Sequence, residues 1–147
     1  MAGISSISRV IDGGTEFGRR VERRLREDTI GWLTTIDGRG TPQPVPVWFL
    51  WEDGSVLVYS EPEQAKLRNI ERHARVSLHL GSNAAGDDIV VLLGDAHVSA
   101  GDPPADDMPA YLEKYRDGIA RIGMTPEVFA RTYSVPIRIS VSRVRGH

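Results

Sequence analysis

Prolines stand at every second position of the run Thr41-Pro42-Gln43-Pro44-Val45-Pro46-Val47-Trp48, and no other feature of the chain restricts its folding as tightly. In an extended strand the amide nitrogens of alternate residues point to the same edge. Pro42, Pro44 and Pro46 therefore strip one edge of N–H donors, while Gln43, Val45 and Val47 keep theirs on the other. A strand paired on both sides cannot be built this way. Two arrangements stay open: an edge strand that proline protects against unwanted pairing, or a strand that parts from a neighbour and leaves backbone polar groups for a planar ligand.

The run lies inside a meander. Thr29–Ile36 has strand character and ends in the turn Asp37-Gly38-Arg39-Gly40; Gln43–Trp51 follows, then the turn Glu52-Asp53-Gly54 and Ser55–Tyr59. Three such strands in succession point to an all-β core. The middle strand carries Val45, Val47, Phe49 and Trp51 on one face and Trp48 and Leu50 on the other. That pattern suits a strand buried on both sides, which a large apolar subunit interface would explain.

Around the meander, Thr15 offers an N-cap to an amphipathic helix over 16–28, with Phe17, Val21 and Leu25 on one face. Ser60-x-x-Glu63 has capping-box spacing with Pro62 in the first turn, predicting a helix from Ser60 to His73. Ala74–Leu80 and Asp88–Ser99 read as strands, with Gly94 marking a bulge or a close approach. Helices are expected over Asp107–Ile122 and, capped by Thr125, over Glu127–Thr132; Val135–Val144 closes the sheet. Residues 1–14 read as a flexible leader, and 1–147 as one domain with one core.

Composition removes several function classes. Without cysteine there is no disulfide framework, thiolate nucleophile or zinc ribbon, in keeping with a reducing cytoplasm. A net charge of −2 draws the chain to neither nucleic acid nor an anionic membrane. No apolar run approaches the ~18 residues of a membrane span, and the N-terminus lacks the pattern of a signal peptide. His73, His79, His97 and His147 have no metal-ligand spacing, and no HExxH, GxSxG or P-loop is present.

Two stretches could carry chemistry. One is the proline strand itself. The other is Tyr59–Asn69, where a strand end feeding a helix start offers free amides and a positive dipole end, suited to an anion. Ser60 and Gln64 add polar side chains, and Lys66 is one of only two lysines, the other being Lys114. Glu61 and Glu63 oppose an anion directly on the cap, so it would lie toward Gln64 and Lys66. An ordinary capped helix with a solvated Lys66 is the alternative.

The order of these motifs resembles the pyridoxamine 5′-phosphate oxidase-like superfamily. Thr34-Thr35-x-Asp37-Gly38-x-Gly40-x-Pro42, then Val45-x-Val47-Trp48, then a strand entering a helix with Lys66-x-x-Asn69 before Arg75-Val76-Ser77-Leu78, carry the likeness over roughly residues 15–100. It implies a mainly β, six-stranded antiparallel split β-barrel with peripheral helices, of the FMN-binding-protein type. It also implies a homodimer with a cofactor in each of two interface grooves. Within the superfamily the chain looks most like the actinobacterial branch that uses coenzyme F-420, an 8-hydroxy-5-deazaflavin. The true oxidases carry a basic Arg-x-x-Leu-Leu-Lys run on the second strand to grip FMN phosphate, where this chain has the uncharged Gln43–Trp48.

By that resemblance Gln43, Val45, Pro46 and Val47 line the deazaflavin ring, through backbone groups of the three non-prolines. Ser60, Gln64, Ala65 and Lys66 would bind the ribityl-phosphate end, Asn69 would brace that helix, and His79 would reach in from the opposite subunit. The implied activity is hydride transfer between F-420 and a small electron-poor substrate, with no catalytic side chain or metal needed because the cofactor carries the redox chemistry. An FMN reductase or oxidase of the same fold, or a non-catalytic flavin, deazaflavin or haem module, are the alternatives.

Overall fold

In the computed structural model, which describes residues 10–147, the proline strand is an edge strand. The strands are β1 (Gly31–Ile36), β2 (Pro42–Val47), β3 (Leu50–Glu52), β4 (Ser55–Ser60), β5 (Arg75–His79), β6 (Val90–Val98) and β7 (Val135–Gly146). They form one antiparallel sheet in the order β2-β1-β5-β6-β7-β4-β3. Among the described residues four α-helices accompany it: α1 (Glu16–Glu27), α2 (Ala65–Arg72), α3 (Pro109–Arg121) and α4 (Pro126–Thr132).

The register decides what the prolines do. Gln43, Val45 and Val47 stand opposite Thr35, Leu33 and Gly31 of β1, and the Asp37 amide already bonds the Thr41 carbonyl at 3.0 Å. Hydrogen-bonded pairs alternate in an antiparallel ladder, so the N–H groups of Gln43, Val45 and Val47 serve β1. The outer edge presents the carbonyls of Pro42, Pro44 and Pro46 and no donor. The amides expected to meet a planar ring are thus spent inside the sheet, a correction to the role given to Gln43, Val45 and Val47.

There are seven strands rather than six, because the expected Gln43–Trp51 strand breaks at Trp48-Phe49. β2 and β3 are opposite edges of the sheet, yet two residues join them. Consecutive Cα atoms are about 3.8 Å apart, so the sheet must curl until its two edges approach at this corner. The result is a half-barrel. Asp53 (φ 41°) and Gly54 (φ 90°) then turn β3 into β4 with both residues left-handed, as a two-residue hairpin of type I′ requires.

Curling divides the apolar residues into two cores. Val21 and Leu25 of α1 join Leu33, Phe49, Val56, Val58, Leu78, Leu92, Ile137 and Ile139 inside the half-barrel. Outside it, Leu50, Leu57 and Tyr59 pack under Tyr111, Tyr115 and Ile119 of α3 and Phe129 and Ala130 of α4. β4 alternates between the two, Val56 and Val58 inward, Leu57 and Tyr59 outward. The two-sided burial expected around residues 45–51 is present, but α3 and α4 of the same chain cover the second face, so no partner subunit is needed to explain it.

The ends of the elements mostly follow local chemistry. Thr15 Oγ1 accepts from the Gly18 amide at 2.9 Å to cap α1. The capping box at Ser60 is not formed: Ser60 ends β4, its hydroxyl donates to the Glu61 carbonyl at 2.7 Å, and Glu63 takes a left-handed φ of 66°. α2 starts only at Ala65, with Gln64 at its N-cap position. Residues 1–9 of the expected leader lie outside the described residues. Its last residues are tied down, for Val10 and Ile11 pack on the inner core and the Asp12 carbonyl accepts from the Thr15 amide.

Gly94 lies at the register shift between β6 and β7, where a Cβ would come 2.2 Å from the Ser140 carbonyl oxygen, a backbone atom that cannot move aside alone. Gly94→Ala should cost about 1–3 kcal/mol, read as a lower urea midpoint at unchanged slope. Gly101→Ala, where the added methyl meets nothing within 4 Å, should stay within about 0.5 kcal/mol of wild type. Equal midpoints for the two variants would contradict the close approach.

Candidate functional site

A cavity of about 330 Å³ opens beside the corner where β2 breaks. Its walls come from three places: Pro46, Val47 and Trp48 at the corner; Tyr59, Ser60, Glu61, Gln64 and Lys66 from the end of β4 to the start of α2; and Tyr111, Ile122, Phe129 and Tyr133 from the C-terminal helices. Ile30 stands at its edge. The volume is at the small end of ligand sites and suits one ring system.

One end is built for negative charge. No side chain caps α2, so the amides of Ala65 and Lys66 at its first turn lack an intrahelical acceptor, while the Leu67 amide turns back to the Gln64 carbonyl at 3.0 Å. Lys66 has no ion-pair partner within 4 Å among the described residues. Burial holds its ammonium below the ordinary lysine range, and the charge of Glu61 pulls the other way. An anion beside Lys66 would relieve that desolvation. Glu61 would resist it.

The opposite wall is aromatic. Trp48 stacks on Tyr115 at 4.7 Å between centroids and on Phe129 at 5.6 Å, and Phe129 stacks on Tyr133 at 4.6 Å. Four nearly parallel rings thus run from the corner to the end of α4. Tyr59 and Tyr111 meet edge to face at 4.9 Å beneath them. Burial pushes the Tyr59 phenol up to about 12 and raises that of Tyr111 further, so both stay neutral hydrogen-bonding groups.

Of the ten expected site residues, the structure brings five to this cavity: Pro46, Val47, Ser60, Gln64 and Lys66. Ala65 contributes its backbone at the helix start. Asn69 is buried and donates to Thr35 Oγ1 at 3.0 Å, which ties α2 to β1. Three fall elsewhere. The Gln43 side-chain Nε2 donates to Asp37 Oδ2 at 2.9 Å within the first hairpin, Val45 packs on the inner core, and His79 stacks with Trp32 at 6.5 Å on the outer side of the sheet. Sequence reasoning missed Tyr111, Ile122, Phe129 and Tyr133. Their spacing, Tyr111 with Tyr115 and Phe129 with Tyr133, reads as the buried stripe of two helices, and nothing local says that the stripe faces Trp48.

The family model for pyridoxamine 5′-phosphate oxidase matches residues 17–146. The chain belongs to this family. Solved structures agree on the split-barrel fold. A conserved hypothetical protein from Mycobacterium tuberculosis superimposes with a TM-score of 0.69 at 22% identity, over 89% of this chain and 82% of that one. An F420 reductase gives 0.62 at 21% identity, over 84% and 94%. The haem storage protein of Vibrio cholerae gives 0.63 at 13%, over 90% and 95%. No curated protein sequence matches. This member of the pyridoxamine 5′-phosphate oxidase family carries the aromatic residues of α3 and α4 on the outer face of its half-barrel. No helix among the described residues is long and apolar enough to cross a membrane, and no cluster of metal-ligating side chains occurs among them.

The corner that holds Trp48 depends on two side chains of α3. Phe49 donates its amide to Tyr115 Oη at 2.8 Å, and its carbonyl accepts from Lys114 Nζ at 2.9 Å and from Tyr115 Oη at 3.0 Å. Lys114 also bonds the Leu25 carbonyl in the last turn of α1 at 3.2 Å and sits over the Phe49 ring. Burial lowers its pKa to about 8, against the opposing charge of Asp28. Between about 8 and the ordinary value of 10.5 the unfolded chain therefore holds more proton on this lysine than the folded one, and its contribution to stability rises with pH across that window. Buried tyrosines work in the opposite sense above about pH 10. Urea unfolding from about pH 7.5 to 9.5 should show wild type gaining stability relative to Lys114→Met as pH rises. A difference that stays constant over this range would refute the assignment.

Proposed function

We propose that the chain is an oxidoreductase that holds a deazaflavin of the coenzyme F-420 type in the Trp48–Lys66 cavity and passes hydride between it and a small electron-poor organic molecule. The observation that carries this reading is the pairing, in one cavity, of a flat aromatic wall with an uncapped helix start and an unpaired lysine. A planar ring joined to a phosphate through a short chain matches those two ends. The bound deazaflavin would supply the hydride chemistry, which accounts for a site without a nucleophile or an acid–base triad.

The protein's own part is binding and exclusion of water. Trp48, Phe129 and Tyr133 provide an apolar aromatic wall for a ring. Lys66, with the free amides at the start of α2, provides charge-assisted donors for phosphate. FMN has the same two-part form, but the proline strand lacks the basic residues with which the true oxidases of this family hold it. A haem would need an axial ligand; among the described residues no histidine, cysteine or methionine lines the cavity, and burial keeps the Tyr59 and Tyr111 phenols protonated.

The reading includes a second copy of the chain. Ile30 and Trp32 are 41% and 38% exposed, large apolar side chains at and beside the open edge of the cavity. A twin subunit over Ile30, Trp32 and His79 would cover them and narrow the opening. Sedimentation equilibrium at micromolar concentration should give a dimer, and Trp32→Glu should shift it toward monomer; monomeric wild type would exclude a shared groove.

Parallel titration of the protein with F-420 and FMN tests the cofactor. F-420 should bind at least about 10-fold more tightly, a difference of about 1.4 kcal/mol. Lys66→Ala should lose about 1.5–3 kcal/mol of that binding, roughly 10- to 150-fold in Kd. Unfolding of the ligand-free variant should match wild type, since Lys66 has no partner to lose. Tighter binding of FMN would make the protein a flavin enzyme, and an unchanged F-420 affinity in Lys66→Ala would move the phosphate away from α2.

A further inference from the structure

Four tyrosines surround or underlie the cavity, and their hydroxyls are not equivalent. Tyr59 Oη donates to the Pro103 carbonyl at 2.7 Å. Tyr115 Oη is committed to the Thr29 and Phe49 carbonyls and the Phe49 amide. Tyr133 is only half-buried, at the rim. Tyr111 differs from all three. It is 1% exposed and lines the cavity, yet its hydroxyl has no hydrogen-bond partner among the described residues.

Its ring cannot easily turn away to find one. Tyr111 lies in the first turn of α3, held edge-on by Tyr59 at 4.9 Å, tilted against Tyr115 at 4.9 Å and backed by Phe129 at 6.0 Å. The hydroxyl is not sealed off with its ring: it keeps access to the cavity, where water or a ligand group completes it. Burial also keeps it neutral, so it offers a proton to share rather than a charge.

We propose that Tyr111 is a positioning residue that donates a hydrogen bond to a carbonyl oxygen in the plane of a flat conjugated ring bound against Trp48. This rests on the cavity being the ring site of the proposed function, and it adds the feature such a ligand must carry. The carbonyl belongs either to the cofactor's ring or to the substrate, and the chemistry is the same for both. The direction of the donor fixes how the ring lies on the wall, which stacking alone leaves free to rotate.

Tyr111→Phe removes the hydroxyl and keeps the ring. Binding would be followed by quenching of tryptophan fluorescence with three probes: lumiflavin, which is a flavin ring without phosphate; chromone, a flat ring ketone; and 4H-chromene, its carbonyl-free analogue. The variant should lose about 3- to 10-fold in affinity for a carbonyl-bearing probe and nothing for chromene. A loss confined to lumiflavin places the carbonyl on the cofactor, and one confined to chromone places it on the substrate. Equal losses for chromone and chromene, or no loss for any probe, overturn the proposal. Wild type that binds neither lumiflavin nor chromone defeats the ring-site reading beneath it. Should the variant not fold, the Cζ resonance of labelled Tyr111 in wild type serves instead: it should move with chromone and stay with chromene, and equal movement would overturn the assignment.

Discussion

The structure turns on Phe49, a residue whose backbone belongs to no strand. β2 and β3 are the two edges of one sheet, and the chain passes from one to the other through Trp48 and Phe49. At such a crossing the peptide groups have no ladder to enter, yet Phe49 is fully buried, so both its polar groups must be answered from elsewhere. Tyr115 Oη and Lys114 Nζ answer them, from a helix 65 and 66 residues further along. With the corner held, the sheet must curl, the inner core fills, and Trp48 is thrown to the outer face where the cavity forms. Lys114 also reaches the end of α1, so one ammonium joins the helix inside the half-barrel, the corner and the helices outside.

What could be read from the residues alone was the part governed by short-range rules. Tight turns at Asp37-Gly38 and Asp53-Gly54, a cap at Thr15 and the need for glycine at position 94 are all dictated by neighbours in the chain or in one ladder. The alternating prolines left two arrangements open, and the structure has the first of them, β2 as an edge. Which edge kept the donors was equally fixed, but not that β1 would claim them. Two inferences failed for the same reason. The faces of residues 45–51 were assigned correctly, but the cover of the second face lay in α3 and α4, too far along the chain for any local pattern to announce. The Ser60-x-x-Glu63 spacing satisfied a capping box, but Ser60 was already held by pairing with Val135 in β7, and tertiary pairing overrode the local signal.

That later start of α2 matters to the site. Had Ser60 capped the helix, its hydroxyl would have taken one of the free amides, and Glu61 and Glu63 would have stood in the first turn against any anion. Beginning instead at Ala65, the helix has no acidic residue in its first turn and no side-chain cap, so its exposed amides and Lys66 are presented together. The polar end of the cavity thus owes its character to where β4 stops.

The two ends of the cavity also have different origins in the fold. The polar end is made by the end of β4 and the start of α2, which follow one another in the chain. The aromatic wall is made by Trp48 with α3 and α4, which come later in the chain and pack mainly on the outer face, while Lys114 and Tyr115 reach past it to Leu25 and Phe49. Because inner and outer cores share β4 alone among long strands, side chains of the wall such as Ile122 and Tyr133 can change without disturbing the packing inside the half-barrel. Trp48 cannot, since the corner that positions it also closes the sheet. A scaffold divided in this way can keep its polar end while the aromatic surface opposite varies, and in this chain that surface carries Trp48, Phe129 and Tyr133 with the Tyr111 hydroxyl beside them.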